Sequence, residues 1–175
     1  NNTNEGSELL KSAIAGCLKG LRGSTLIFAP FENSYKRIVK DAHAPTSAQW
    51  GYENRTTAIR VPGGEFASKR IEHRVAGGDT NPYLVMAAVL GSALLGIEEK
   101  LVPSKPITNN GYSNSAEKLA LNWRDSINCF ENDKIIQQIF TKTLIDNLVR
   151  TKKQELSEFK KIDAGKHWKY YVSAI

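Results

Sequence analysis

The sequence predicts an α+β fold: a short antiparallel sheet backed by several helices, followed by a helical C-terminal region. Three observations carry this expectation. Residues Thr56 to Val61 and Lys69 to Val75 alternate with the period of two that a strand imposes. Tyr83 to about Leu101 is apolar on every helical face. Beyond Ser115, apolar residues recur at helical spacing as far as Phe159.

In chain order, Asn1 to Glu5 is polar and predicts a loop. Leu9, Leu10, Ala13, Ile14, Cys17, Leu18 and Leu21 mark a first helix, which Gly20 and Gly23 stop. Thr25 to Phe28 is a short apolar piece ended by Pro30. The polar run Glu32 to Arg37 has no amphipathic period, so it is either an exposed loop or a segment facing a site. Val39 to Gln49 is small and polar and predicts a flexible loop, or a flap over a site. Two strands follow, separated by the break at Pro62, Gly63 and Gly64. Asn81 and Pro82 fit the N-cap and first turn of the apolar helix. That helix needs cover all round, so its partner elements are expected outside these residues. Val102 to Tyr112 is a connecting loop. Helices are expected over Ser115–Phe130 and Asp133–Phe159, with a short one over Lys166–Ile175.

The two strands form the centre of the sequence. Pairing them turns Thr57, Ile59 and Val61, with Ile71 and Val75, toward a core, and sets Arg60 beside Arg70, Glu72 and Arg74 on the opposite face. Such a face is either a solvated hairpin surface or a site for polyanions and a metal. Arginine forks match phosphate and carboxylate oxygens, and a carboxylate is a hard ligand for Mg²⁺ or Mn²⁺.

Composition narrows the classes. With 175 residues, 41% of them hydrophobic, the chain can bury a core. The formal charge of +6 comes from Lys and Arg residues spread along the chain, without a basic arm, so no nucleic-acid partner is expected. The longest apolar run is short for a bilayer, and no membrane role is expected. Cys17 and Cys129 lack metal or redox spacing, which favours reduced thiols and a cytoplasmic location. His43, His73 and His167 show no metal-ligand spacing.

Four motifs in order then resemble one family. Asn33-Ser34-Tyr35-Lys36-Arg37, Asn54-Arg55-Thr56-Thr57-Ala58-Ile59-Arg60, Arg70-Ile71-Glu72-His73-Arg74 and Asn81-Pro82-Tyr83-Leu84 resemble the C-terminal half of the glutamine synthetase catalytic domain. On that resemblance, residues 1–112 correspond to the C-terminal portion of the catalytic domain and 113–175 to a helical C-terminal region. The family uses ATP to phosphorylate the glutamate γ-carboxylate and lets an amine displace phosphate, chemistry that needs positioning and charge neutralisation. The resemblance implies that Arg37 and Arg74 orient glutamate and that Arg55 neutralises the transferring phosphoryl group. It also makes Arg60 and Arg70 ATP-phosphate ligands, Glu72 a ligand of Mg²⁺ or Mn²⁺, and the intact protein a homo-oligomeric ring.

Two departures qualify this. Ammonia-using members carry a glutamate in the flap, where this chain has Asp41-Ala42-His43-Ala44-Pro45 with His43 at that place. A neutral histidine does not attract ammonium as a carboxylate does. With WGYENRTTAIRVP, this points to the γ-glutamylpolyamine (γ-glutamylputrescine) synthetase branch and an organic amine; Asp41 keeps the ammonia reading open, and a non-catalytic assembly or binding module is the other alternative. Second, the family's ExE and GSGxH metal motifs are not in this sequence. The chain is therefore expected to be a C-terminal piece with no ligase activity alone.

Overall fold

The computed structural model describes residues 6–113 and 116–172; the expected opening loop, Ser115 and residues 173–175 of the expected terminal helix lie outside them. Helix α1, Glu8–Gly20, starts where the Ser7 hydroxyl accepts the Leu10 amide at 3.1 Å, and it buries Ala13, Ile14 and Cys17. A single buried turn, α2 (Thr25–Phe28), follows. The polar run Glu32–Arg37 is a 3₁₀ helix with Ser34 and Tyr35 buried, not an exposed loop. Ser34 anchors this turn: its hydroxyl accepts the Phe31 amide at 3.1 Å and donates to Asp79 at 2.5 Å, so that buried hydroxyl is satisfied within the fold.

The sheet has three strands in the order β1 (Trp50–Tyr52), β2 (Ile59–Val61), β3 (Glu72–His73). The expected antiparallel pair is β2 with β3, in the register Ile59 to His73 and Arg60 to Glu72. The sequence reading had not marked β1, which runs parallel to β2 and makes the sheet mixed. Both expected strands are shorter than their alternating runs. The Asn54 side chain accepts the Thr56 amide at 2.9 Å and the Thr57 hydroxyl turns to the Asn54 carbonyl, so these threonines make a local turn rather than ladder bonds.

Helix α3, Pro82–Glu98, begins as expected, with the Asn81 side chain accepting the Tyr83 and Leu84 amides at 3.0 and 3.2 Å. It lies against α1 through Ala88, Ser92 and Gly96; a methyl group on Gly96 or on Gly16 of α1 would overlap the backbone of the other helix. Enclosure on all sides is not found among the described residues. Tyr83, Met86, Leu90 and Leu94 are 82%, 59%, 62% and 54% exposed, because α1 covers only the opposite side.

The C-terminal region folds as α4 (Trp123–Asn132), α5 (Lys134–Ile139), α6 (Lys142–Phe159) and α7 (His167–Val172). The helix expected from Ser115 starts only at Trp123, capped by Asn122. Glu117 to Leu119 run beside the flap, where the Ala48 amide bonds the Glu117 carbonyl and the Leu119 amide the Thr46 carbonyl. The single helix expected over Asp133–Phe159 is broken at Phe140, which is extended, and Thr141 caps a new start. Two apolar clusters result. The larger gathers Phe28, Ile38, Trp123, Ile127, Phe130, Ile136 and Phe159. The smaller, Ile14, Cys17, Trp50, Ile59 and Val61, lies under the sheet. Because Ile59 and Val61 are committed to it, the alternation sends Arg60 to the other face. Among the described residues, no helix is long and apolar enough to cross a membrane.

Candidate active site

The face opposite the smaller cluster is a charge network. Arg60 and Glu72 are registry partners across β2 and β3, and Arg60 Nη1 donates to Glu72 Oε2 at 2.7 Å. Arg74, two residues beyond Glu72 and on the same side, brings its Nε within 3.2 Å of Glu72 Oε1. One carboxylate thus lies between two guanidinium groups. The side chains of Arg60 and Arg74 are only 12% and 16% exposed, so their mutual repulsion is poorly screened without Glu72.

A second carboxylate joins that the sequence reading had missed. Glu53 Oε2 accepts from Arg60 Nη2 at 3.0 Å, and Glu53 Oε1 accepts the Gly63 amide. The Gly63 amide, and then the Arg60 guanidinium, hold the Glu53 carboxyl below the usual carboxylate range. Glu53 has a φ of 52°, the left-handed region that costs a residue with a Cβ. Its place in the turn after an unrecognised strand left no periodic signal by which to find it.

The other expected residues divide. Arg55 and Arg70 are exposed at the rim: the Arg55 carbonyl accepts from Arg74 Nη1, and Arg70 Nη1 reaches the Ser68 carbonyl at 3.3 Å. Arg37 does not join the network. Its Nη2 donates to the Phe28 and Val75 carbonyls at 2.8 and 2.5 Å, tying the 3₁₀ helix to the residue after Arg74, while its Nε–H is buried without a partner. Burial lowers the pKa of Arg37, and Asp79 opposes the shift. Asp41 and His43 stand exposed in the flap at φ 64° and 62°. The flap approaches the network at one point, where Arg74 Nη2 lies 3.5 Å from the His43 carbonyl.

Arg55 and Arg70, neither holding a carboxylate among the described residues, suit an anion such as a polyphosphate. A divalent cation is a different matter. Glu72 is a suitable hard ligand, but both its oxygens face arginines, and no group of three potential metal-binding side chains occurs among the described residues.

Residues 1–171 match the family described as glutamine synthetase, catalytic domain. The chain belongs to the glutamine synthetase family. It is 39% identical over 132 residues to the γ-glutamylputrescine synthetase PuuA of Escherichia coli, covering 75% of this chain and 28% of that protein. With the γ-glutamylethanolamide synthetase GlnA4 of Streptomyces coelicolor it shares 35% identity over 153 residues, covering 87% and 33%. The solved structure of a GmaS/ADP complex superposes with a TM-score of 0.78 at 27% identity, covering 93% of this chain and 39% of that one. The chain therefore spans about a third of the length of these relatives. Within the glutamine synthetase family, the Arg60–Glu72–Arg74 face coincides with the motifs that carried the resemblance.

Proposed function

We propose that these residues form one wall of the active site of an ATP-dependent ligase that joins the glutamate γ-carboxylate to an organic amine through γ-glutamyl phosphate. The observation that carries this reading is the registered Arg60–Glu72–Arg74 network, built on a sheet whose other side is locked into an apolar cluster. A rigid scaffold lets guanidinium groups be positioned before the reaction, which is what phosphoryl transfer asks of a protein. Arg74 and Arg37 orient glutamate, the latter through its unpartnered Nε–H. Arg55 neutralises the phosphoryl group in transfer, and Arg60 and Arg70 hold ATP phosphates. Glu72 supplies one oxygen ligand for Mg²⁺ or Mn²⁺, whose charge would offset that of the phosphates. The remaining ligands come from outside these residues, so the 175 residues alone give no turnover. In the assembled protein, a homo-oligomeric ring completes each site.

His43 in the flap and the similarity to a γ-glutamylputrescine synthetase and a γ-glutamylethanolamide synthetase support an organic amine. The two cysteines, both free thiols, fit a cytoplasmic setting. ATP-dependent phosphate release by the complete polypeptide carrying these residues, with glutamate and a panel of amines and ammonia, tests the reading. Ammonia as the clearly best substrate would overturn the amine assignment; the exposed Asp41 carboxylate is the feature that would explain that result.

A further inference from the structure

The segment Val102 to Tyr112, expected only to connect two helical regions, is stapled along the edge of β1. The Trp50 indole donates to the Ser104 carbonyl at 2.7 Å, and the Ile107 amide to the Trp50 carbonyl at 2.8 Å. The Asn54 side chain donates to the carbonyls of Ile107 and Asn109 at 3.0 and 2.9 Å, and the Gly111 amide reaches the Thr56 hydroxyl at 2.8 Å. Gly111 is held so closely over Thr56 that a Cβ there would crowd the Thr56 carbonyl. The segment is a strap anchored to the strand and the turn that carry the site, and it ends in Tyr112.

Tyr112 leaves the strap for the flap. Its hydroxyl donates to the carbonyl of Ala44 at 3.0 Å. Two consecutive flap carbonyls are thus held from below, His43 by Arg74 at 3.5 Å and Ala44 by Tyr112. The two holds are unequal. The Arg74 contact lies at the limit of hydrogen bonding, and that guanidinium also serves Glu72 and the carbonyls of Arg55 and Thr57. The Tyr112 bond has good length, and its donor reaches no other acceptor among the described residues. Just before it, Asp41 and His43 both occupy the left-handed region, which persists only where surroundings enforce it.

We propose that Tyr112 is a positioning residue for the flap, fixing through Ala44 where Asp41 and His43 stand over the arginine face and so setting amine recognition. This rests on the ligase reading above. When a substrate carboxylate engages Arg74, the His43 contact is the one lost, and Tyr112 remains as the anchor. Burial raises the pKa of Tyr112, with Arg74 opposing and Asp41 adding, as expected for a hydroxyl lying among these groups.

Y112F removes the hydroxyl and keeps the ring. In the complete polypeptide, the variant should raise the KM for the amine about fivefold, the value of one ordinary hydrogen bond, with the KM values for glutamate and ATP changed less than about twofold. Hydrogen exchange of the amides from Val39 to Ala44 should quicken, while that of β2 stays unchanged. Unchanged flap exchange, or a fall in kcat with all three KM values untouched, would overturn the proposal. Faster flap exchange in a protein whose wild type turns over neither an amine nor ammonia would support the latch and refute the ligase reading.

Discussion

His73 makes stability depend on pH in a direction the structure dictates. It follows Glu72 on β3 and points the opposite way, its ring 4.5 Å from that of Phe28 and its Nδ1 buried without a partner. Burial lowers its pKa from 6.5 to about 4, because desolvation disfavours the charged imidazolium. As the pH falls below 6.5, the unfolded chain takes up a proton at this position and the folded one does not until about 4. The unfolded state binds more protons across that window, so stability is full above it and declines on acidification. At about 1.4 kcal/mol per pH unit, the gap caps the loss at about 3 kcal/mol. Urea unfolding from pH 7.5 to 4.5 on wild type and H73F isolates the effect, because other titrating groups cancel in the difference. The wild-type curve should fall more steeply, and the His73 ring resonances should show no titration near neutral pH. Parallel curves, or an NMR midpoint near 6.5, would refute the argument.

Further outcomes follow from packing and charge. E72Q leaves Arg60 and Arg74 facing each other without their shared anion and should lower unfolding free energy by about 1–2 kcal/mol in urea titration. G96A sets a methyl against the backbone of α1, and overpacking of about 1–3 kcal/mol should exceed the gain in helix propensity; a lower Tm checks it, and an unchanged Tm would show that the helices can separate freely. Burial pushes the Cys17 thiol up to about 12, so alkylation at pH 8 followed by peptide mapping should find Cys17 protected and the less buried Cys129 labelled first.

The sheet face was legible because alternation is a strong local signal: period two and a break at Pro62 were enough to put Arg60 and Glu72 on one face, while their direct pairing depends on the register of the folded strands. The helix start at Asn81 and Pro82 was legible for the same reason, a cap being written in adjacent residues. What escaped depends on distant partners. Strand β1 is three residues whose strand character comes from parallel pairing to β2, and parallel pairing leaves no hairpin signature. Phe140 sits at helical spacing with its neighbours, yet Thr141 offers a cap just after it, and the helical stripe alone cannot distinguish one helix from two. Glu53 and Tyr112 lie in segments without period, and only the folded chain brings them to Arg60 and Ala44.

The outward side of α3 also governs how this polypeptide behaves in a test tube. From Pro82 to Ile97 there is no acidic or basic side chain, so the net charge of +6 opposes association only at long range and no local charge holds two such strips apart. Salt screens the long-range repulsion and, in the case of sulfate, strengthens apolar contact. Solubility of these residues on their own should therefore fall steeply with ammonium sulfate and recover in mild nonionic detergent, and a charged residue in place of Leu90, 62% exposed, should restore it without loosening the packing on α1.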